Sequence, residues 1–204
     1  NLLHDTFKAH QRIIFNGNGY GEDWVQEAQR RGLSNLRDTV DCMPAYIDPK
    51  NIRLFAGHNI LSETEMRARY EIHLENYCKV TAIEASTLRD MVLRGILPAV
   101  NRYTADLTQA ILHKRELVVP CRVEEDLLQK LSALTGSLYD TMAAINEAMD
   151  KAPDAEGGID AARYYREEIV RRMEEARQSI DQLESLTAAK YWPYPTYADI
   201  LFSV

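Results

Sequence analysis

Long apolar runs are missing from this 204-residue sequence, as are an excess of positive charge, closely paired cysteines and strand-like alternation. Each absence removes a class of protein. A membrane-spanning helix needs roughly 18 or more consecutive apolar residues, and no run approaches that; nor does a secretory signal precede the first helix. With 31 acidic residues against 24 basic ones the net charge is −7. That balance argues against a nucleic-acid or anionic-membrane partner, because both need a basic surface. Cys42, Cys78 and Cys121 are odd in number and far apart, with no Cys-x-x-Cys. They read as reduced thiols of a cytosolic protein, serving as small apolar fillers. The 46% hydrophobic and 27% charged fractions are those of an ordinary soluble globular chain. Its length suits one large domain or two small ones with a real core.

Recognisable catalytic motifs are also scarce. There is no Gly-x-Ser-x-Gly, no Glu-x-x-His and no His-Glu-x-x-His, and the five histidines share no spacing. Glu71, His73 and Glu75 stand close in sequence, but alternate residues of a helix point in different directions. His10 falls on an apolar stripe and reads as a hydrogen-bonded core histidine. The loop Gly17-Asn18-Gly19-Tyr20-Gly21 resembles a phosphate cradle only in composition. Phosphate loops follow a strand and leave the next helix N-terminus open; here a helix comes before, and Glu22-Asp23 occupies that N-terminus. A structural turn is the better reading, and no catalytic, cofactor-binding or metal-binding residue is assigned.

What the sequence has is helix, and the expected class is all-α. Short helices and turns fill residues 1–60: a stripe of Leu3, Phe7, His10 and Ile14, a helix from Glu22 to Arg31 stopped by Gly32, a short helix capped by Ser34 and ending before Pro44, and one opened by Asp48-Pro49 and closed by Gly57. The spine follows, from Leu61 to Leu97. Ser62 is placed as an N-cap with Glu65 closing a capping box. Met66, Tyr70, Leu74, Tyr77, Thr81, Leu88 and Met91 then make one apolar stripe. Pro98 lacks a backbone donor and is expected to kink or break the helix, before Val100, Tyr103, Leu107, Ala110 and Ile111 resume it. Val118-Val119-Pro120 is a linker. Two heptad-like stripes follow, Leu127 to Ala148 and Ala162 to Thr187, joined by a turn at Pro153 and Gly157-Gly158. They should pack as an antiparallel hairpin crossing at roughly 20°. Surface pairs Glu167–Arg171 and Glu168–Arg172 solubilise it, at only about 0.3–0.5 kcal/mol each.

Two features stand out from that background. Glu84 falls near the stripe between Thr81 and Leu88, so it is a candidate buried carboxylate needing a partner such as Arg69, Arg102 or a backbone donor. The tail, residues 190–204, carries Tyr191, Trp192, Tyr194, Tyr197 and Phe202 on a path that Pro193 and Pro195 hold extended. Each buried aromatic contributes about 1.5–3 kcal/mol. The tail is therefore expected to dock, on the bundle, another domain or a neighbouring subunit, with Asp199 to Phe202 forming a last turn.

Several stretches carry a family resemblance: Ile14 to Tyr20, Arg69-Tyr70-Glu71-Ile72-His73-Leu74-Glu75-Asn76-Tyr77-Cys78-Lys79, Ile96-Leu97-Pro98-Ala99-Val100, and above all Tyr191-Trp192-Pro193-Tyr194-Pro195-Thr196-Tyr197. In this order they resemble the C-terminal region of the type III glutamine synthetases. The resemblance implies a parent that joins ammonia to glutamate with ATP and Mg or Mn, and whose catalytic sheet lies upstream of the matched region. It further implies homo-oligomeric rings. On that basis residues 1–60 become a connecting region, 61–189 a long-helix bundle and 190–204 a docking tail. Asn1-Leu2-Leu3, with no initiator Met, fits a chain cut from something longer. The expected role is packing and oligomer architecture, with no activity or cofactor in the fragment itself. Its partners would be its own catalytic domain and neighbouring subunits. The alternative is a regulatory module that binds a metabolite or a protein.

Overall fold

The computed structural model describes residues 2–202, with Tyr197 described by its backbone alone. Helices account for the regular structure, and no strand occurs among the described residues. No helix is long and apolar enough to cross a membrane. The chain divides into two compact units, residues 1–45 and 46–204. The helix Pro49–Gly57 packs on the long spine and lies in the second unit.

In the first unit α1 (Leu2–Ala9) buries none of its residues. Its helix stops before His10, which is exposed, so the expected core histidine is not one. A single 3-10 turn, Gln11–Ile13, carries the chain on. α2 (Glu22–Arg30) ends as expected at Gly32, whose φ of +72° is a conformation glycine adopts freely. The bonds Leu33 N–H to Ala28 C=O and Gly32 N–H to Gln29 C=O complete a Schellman motif. α3 (Thr39–Tyr46) starts later than Ser34, because Asp38 caps it by accepting from Asp41 N–H at 2.8 Å, and Pro44 lies inside it.

The second unit opens with α4 (Pro49–Gly57), where the Asp48 side chain accepts from Lys50 N–H and Pro49 takes the first position. Gly57 is its last residue. The left-handed turn that stops it falls on Asn59, at φ +54°. α5 (Glu63–Met91) has the capping box expected of it: Glu65 N–H donates to Ser62 Oγ at 3.2 Å, and Ser62 N–H donates back to the Glu65 carboxylate at 2.7 Å. At 29 residues it is about 44 Å long. Met66, Leu74, Cys78, Thr81 and Ala85 are buried, whereas Met91 is exposed. Glu84 is exposed too, which corrects its expected burial. The buried line runs from Thr81 through Ala85, and Glu84 sits one residue, about 100°, away from Ala85.

Pro98 neither breaks the helix nor opens a turn. Residues Val92–Ile96 form a π-helical turn, in which Leu97 N–H reaches back five residues to Val92 C=O. α6 (Leu97–Glu116) continues directly, with Pro98 in its first turn, where a missing donor costs least. Gly95 and Pro98 thus mark a widened helix rather than a gap.

α6 ends in a Schellman motif built on Val118, with Val119 N–H donating to Lys114 C=O at 2.8 Å. Val118 has φ +56° and is 91% exposed. A β-branched residue in this region is strained by roughly 1–2 kcal/mol. Ion pairs Lys114–Glu124 and Arg115–Glu125 brace the turn from both sides. Replacing Val118 with glycine removes the strain and loses no packing. Allowing for the greater freedom of the unfolded glycine chain, the variant is expected to be more stable by about 0.5–1 kcal/mol; a denaturant midpoint that falls instead would contradict this.

α7 (Arg122–Asp150) packs along α6 and α9. After the turn come α8 (Gly158–Tyr164), a second π-helical turn at Tyr165–Val170, and α9 (Arg171–Leu186). The Tyr164 hydroxyl donates to Ala148 C=O at 2.9 Å, tying the return helix to α7. The buried faces alternate as the sequence implied, with Leu131, Leu138, Ile145 and Ala148 against a line from Ala162 through Ile169 and Ala176 to Leu183. α5 packs on α8 and on the second π turn. Of the two surface pairs expected, Arg172–Glu168 forms at 2.6 Å, while Arg171 pairs with Glu175 and touches Glu167 only through its carbonyl.

Candidate functional site: the aromatic strap and its groove

The tail lies across the bundle as a strap. Thr187, the C-cap of α9, is extended, so the chain leaves the helix there. Tyr191 is half-buried on α6. Its ring centroid is 5.3 Å from that of Tyr103, its hydroxyl donates to Asp106, and Lys190 Nζ sits 4.7 Å over the ring. Three residues on, the half-buried Tyr194 reaches the first π turn, where its hydroxyl donates to Met91 C=O at 3.2 Å. Gly95 is what makes room for it. A β-carbon at Gly95 would lie 2.9 Å from Tyr194 Cζ and closer still to its oxygen.

Trp192, Tyr194 and Pro195 line, together with the bundle, an open groove of about 180 Å³. Leu88, Met91, Ile96 and Ile180 form its apolar walls, with the Arg177–Asp181 ion pair at 2.8 Å and Glu184 on its polar side. Beyond Pro195 a short helix, α10 (Tyr197–Leu201), carries its own capping box: Asp199 N–H donates to Thr196 Oγ1, and Thr196 N–H donates to the Asp199 carboxylate. Ile200 borders the groove, whereas Phe202 is 77% exposed and is not part of its lining. It follows the end of α10, past the last residue that meets the groove. The Tyr197 side chain lies outside the described residues. Of the five aromatics singled out from sequence, Tyr191, Trp192 and Tyr194 meet the bundle.

Elsewhere the candidate residues come apart. Glu71 and His73 are exposed, Glu75 is paired with Lys79, and His73 meets the edge of Tyr46 at 6.2 Å. No group of three or more His, Cys, Asp or Glu among the described residues is placed to hold a metal ion. The glycine loop of the first unit is closed on itself. Asn18 Oδ1 accepts from Tyr20 N–H and Asn18 C=O accepts from Gly21 N–H, both at 3.0 Å. Phe15 packs on Trp24 with ring centroids 4.9 Å apart, and Arg31 donates to the carbonyls of Arg12 and Ile14.

Glu27 holds Arg31 in that position. Hydrogen bonds from Arg30 and then Arg31 lower its pKa from 4.5 to about 2. A carboxylate depressed in the folded state stabilises fully above its unfolded pKa and loses that effect as pH falls through the folded one. The fastening of this loop is therefore expected to weaken between about pH 4.5 and pH 2. Trp24 fluorescence in a Trp192→Phe background reads it, and Glu27→Gln should give the loosened signal already at neutral pH. A flat titration in the parent would contradict the role given to Glu27.

The sequence marks the aromatic tail but not the residues it lies against. In the sequence Asp106 looks like an ordinary surface residue of α6, and Tyr103 like one more member of its apolar stripe. The signal available was Gly95 inside a helix, with Pro98 three residues later; a glycine there costs about 1 kcal/mol relative to alanine and needs a packing reason.

Fold and site together define a class: an all-helical module whose distinctive feature is a docked aromatic strap. The sequence profile of the family described as "Glutamine synthetase C-terminal domain" matches residues 1–115, so the chain belongs to that family. A glutamine synthetase of Butyrivibrio fibrisolvens is 37% identical over 205 residues, covering all of this chain and 29% of that protein. The type-3 glutamine synthetase of Dictyostelium discoideum is 31% identical over 98% of this chain and 28% of its own length. A glutamine synthetase of Bacteroides fragilis is 29% identical over 99% and 28% respectively. The chain thus spans less than a third of the relatives it matches.

Proposed function

We propose that this chain is the non-catalytic C-terminal module of a type III glutamine synthetase and serves packing and oligomer architecture. The observation that carries the reading is the alignment of essentially the whole chain with under a third of each relative. The parent would ligate ammonia to glutamate with ATP and Mg or Mn, in the cytoplasm. Its catalytic residues would lie in the part of the parent that this chain does not match. The partners of the module are then its own catalytic domain and neighbouring subunits, with no nucleic acid or membrane involved. The exposed Leu2, Leu3 and Phe7 of α1 support a packing role, since a helix that buries none of its apolar residues gains little stability alone.

Glutamine formation by this chain alone tests the reading. No ATP-dependent turnover is expected, and turnover would overturn it. The groove along the strap favours a second reading, a regulatory module that binds a metabolite. Calorimetry with glutamine and ATP separates the two, because saturable binding to the chain supports only the second.

A further inference from the structure

The strap meets the bundle where the long helix departs from α geometry. Three observations coincide there. The turn Val92–Ile96 is π-helical, so it carries one more residue than an α turn would. The carbonyl that takes the Tyr194 hydroxyl, Met91 C=O, immediately precedes that turn. Gly95, within the turn, is the residue whose missing side chain lets the Tyr194 ring seat. Ile96 and Met91 also line the groove that Trp192 borders. From this geometry we propose that the strap and the first π turn are a single latch, in which seating Tyr194 holds the joint between α5 and α6 in its wide form.

The extra residue of the π turn cannot leave it without moving a helix. Tightening a π turn to an α turn displaces one residue, which would rotate the following helix by about 100°. α6 is packed along α7, with Leu107 and Ile111 buried, and so cannot turn as a body. Pro98 has no N–H with which to rebuild the α pattern across the joint. Without Tyr194 the joint therefore opens instead of tightening. A pull on the strap, whose Pro193 and Pro195 are exposed, is transmitted to the middle of the longest continuous helical stretch in the chain.

The second π turn supplies an internal control. Tyr165–Val170 packs on α5 and α7 and contains neither glycine nor proline. Amide hydrogen exchange on the full chain decides the matter. Tyr194→Phe removes one hydrogen bond and is expected to speed exchange at Leu97 N–H about fivefold. The triple variant Tyr191→Ala, Trp192→Ala, Tyr194→Ala, which abolishes seating, should raise it more than tenfold. Amides of the Tyr165–Val170 turn stay at the parent rate in both variants. Unchanged exchange at Leu97 in the triple variant would overturn the latch and leave the wide turn to Gly95 and Pro98 alone. Equal acceleration at both turns would overturn it as well, since the effect would then be general loosening.

Discussion

Gly95→Ala is expected to unseat the strap while leaving the helical bundle folded. Two opposed effects decide this. Alanine is better than glycine in a helix interior by about 1 kcal/mol. The added methyl, however, would enter the space of the Tyr194 ring, 2.9 Å from its Cζ, and overpacking of this kind costs about 1–3 kcal/mol. The ring belongs to a strap held by few contacts, whereas Gly95 lies in a helix joint with buried residues on both sides, Val92 and Ile96. The strap gives way first, and the joint loosens only locally while the bundle around it stays folded. In a Trp24→Phe background the emission of Trp192 should therefore shift to the red, while the melting temperature changes by only a few degrees. Emission unchanged from the parent would mean that the groove accommodates the methyl, and the tight seat described for Tyr194 would be wrong.

Leu138→Ala is expected to have the larger effect on stability. Leu138 is fully buried on α7, the helix that packs on both α6 and α9. Removing its isobutyl group forfeits the transfer free energy and leaves a cavity that three packed helices can close only in part, at about 3–4 kcal/mol. Against a total stability of about 5–15 kcal/mol this is a large fraction. For a chain of this size it should lower the melting temperature by roughly 10 °C. A loss below about 1 kcal/mol would show that the α7 seam is loosely packed. Tyr139, the next residue, is 60% exposed. Tyr139→Ala should stay within about 0.5 kcal/mol and so separates burial from mere position on the helix.

These contrasts show which parts of the structure could be read from the residues. Ser62 with Glu65 and Gly32 after α2 act through bonds spanning a few residues, so their spacing in the chain was enough to place both helix ends. The alternating stripes of α7 and of the return helix were legible because burial repeats every three or four residues. The π turns were not. They shift hydrogen bonds from four residues to five, and a stripe interrupted by Gly95 and Pro98 gives no sign of which pattern is adopted. Glu84 was misplaced because the buried line passes through Ala85. A small side chain contributes little to a stripe read by hydrophobicity, yet it lets a neighbouring helix approach. His10 was misread for a related reason: α1 has an apolar stripe, yet none of its residues is buried.

The strap illustrates both sides. Its aromatics and prolines announced that it docks, but not that Gly95 would be the seat or Asp106 the far anchor. Those partners lie about a hundred residues upstream, and no local rule connects them.

The central claim is that this module serves the assembly of a larger glutamine synthetase. The most direct measurement is native mass spectrometry of that longer enzyme with and without the segment matching residues 1–204. The intact enzyme is expected to be a ring-sized oligomer, and removal of the segment to leave smaller species. Oligomers of unchanged stoichiometry after removal would contradict it.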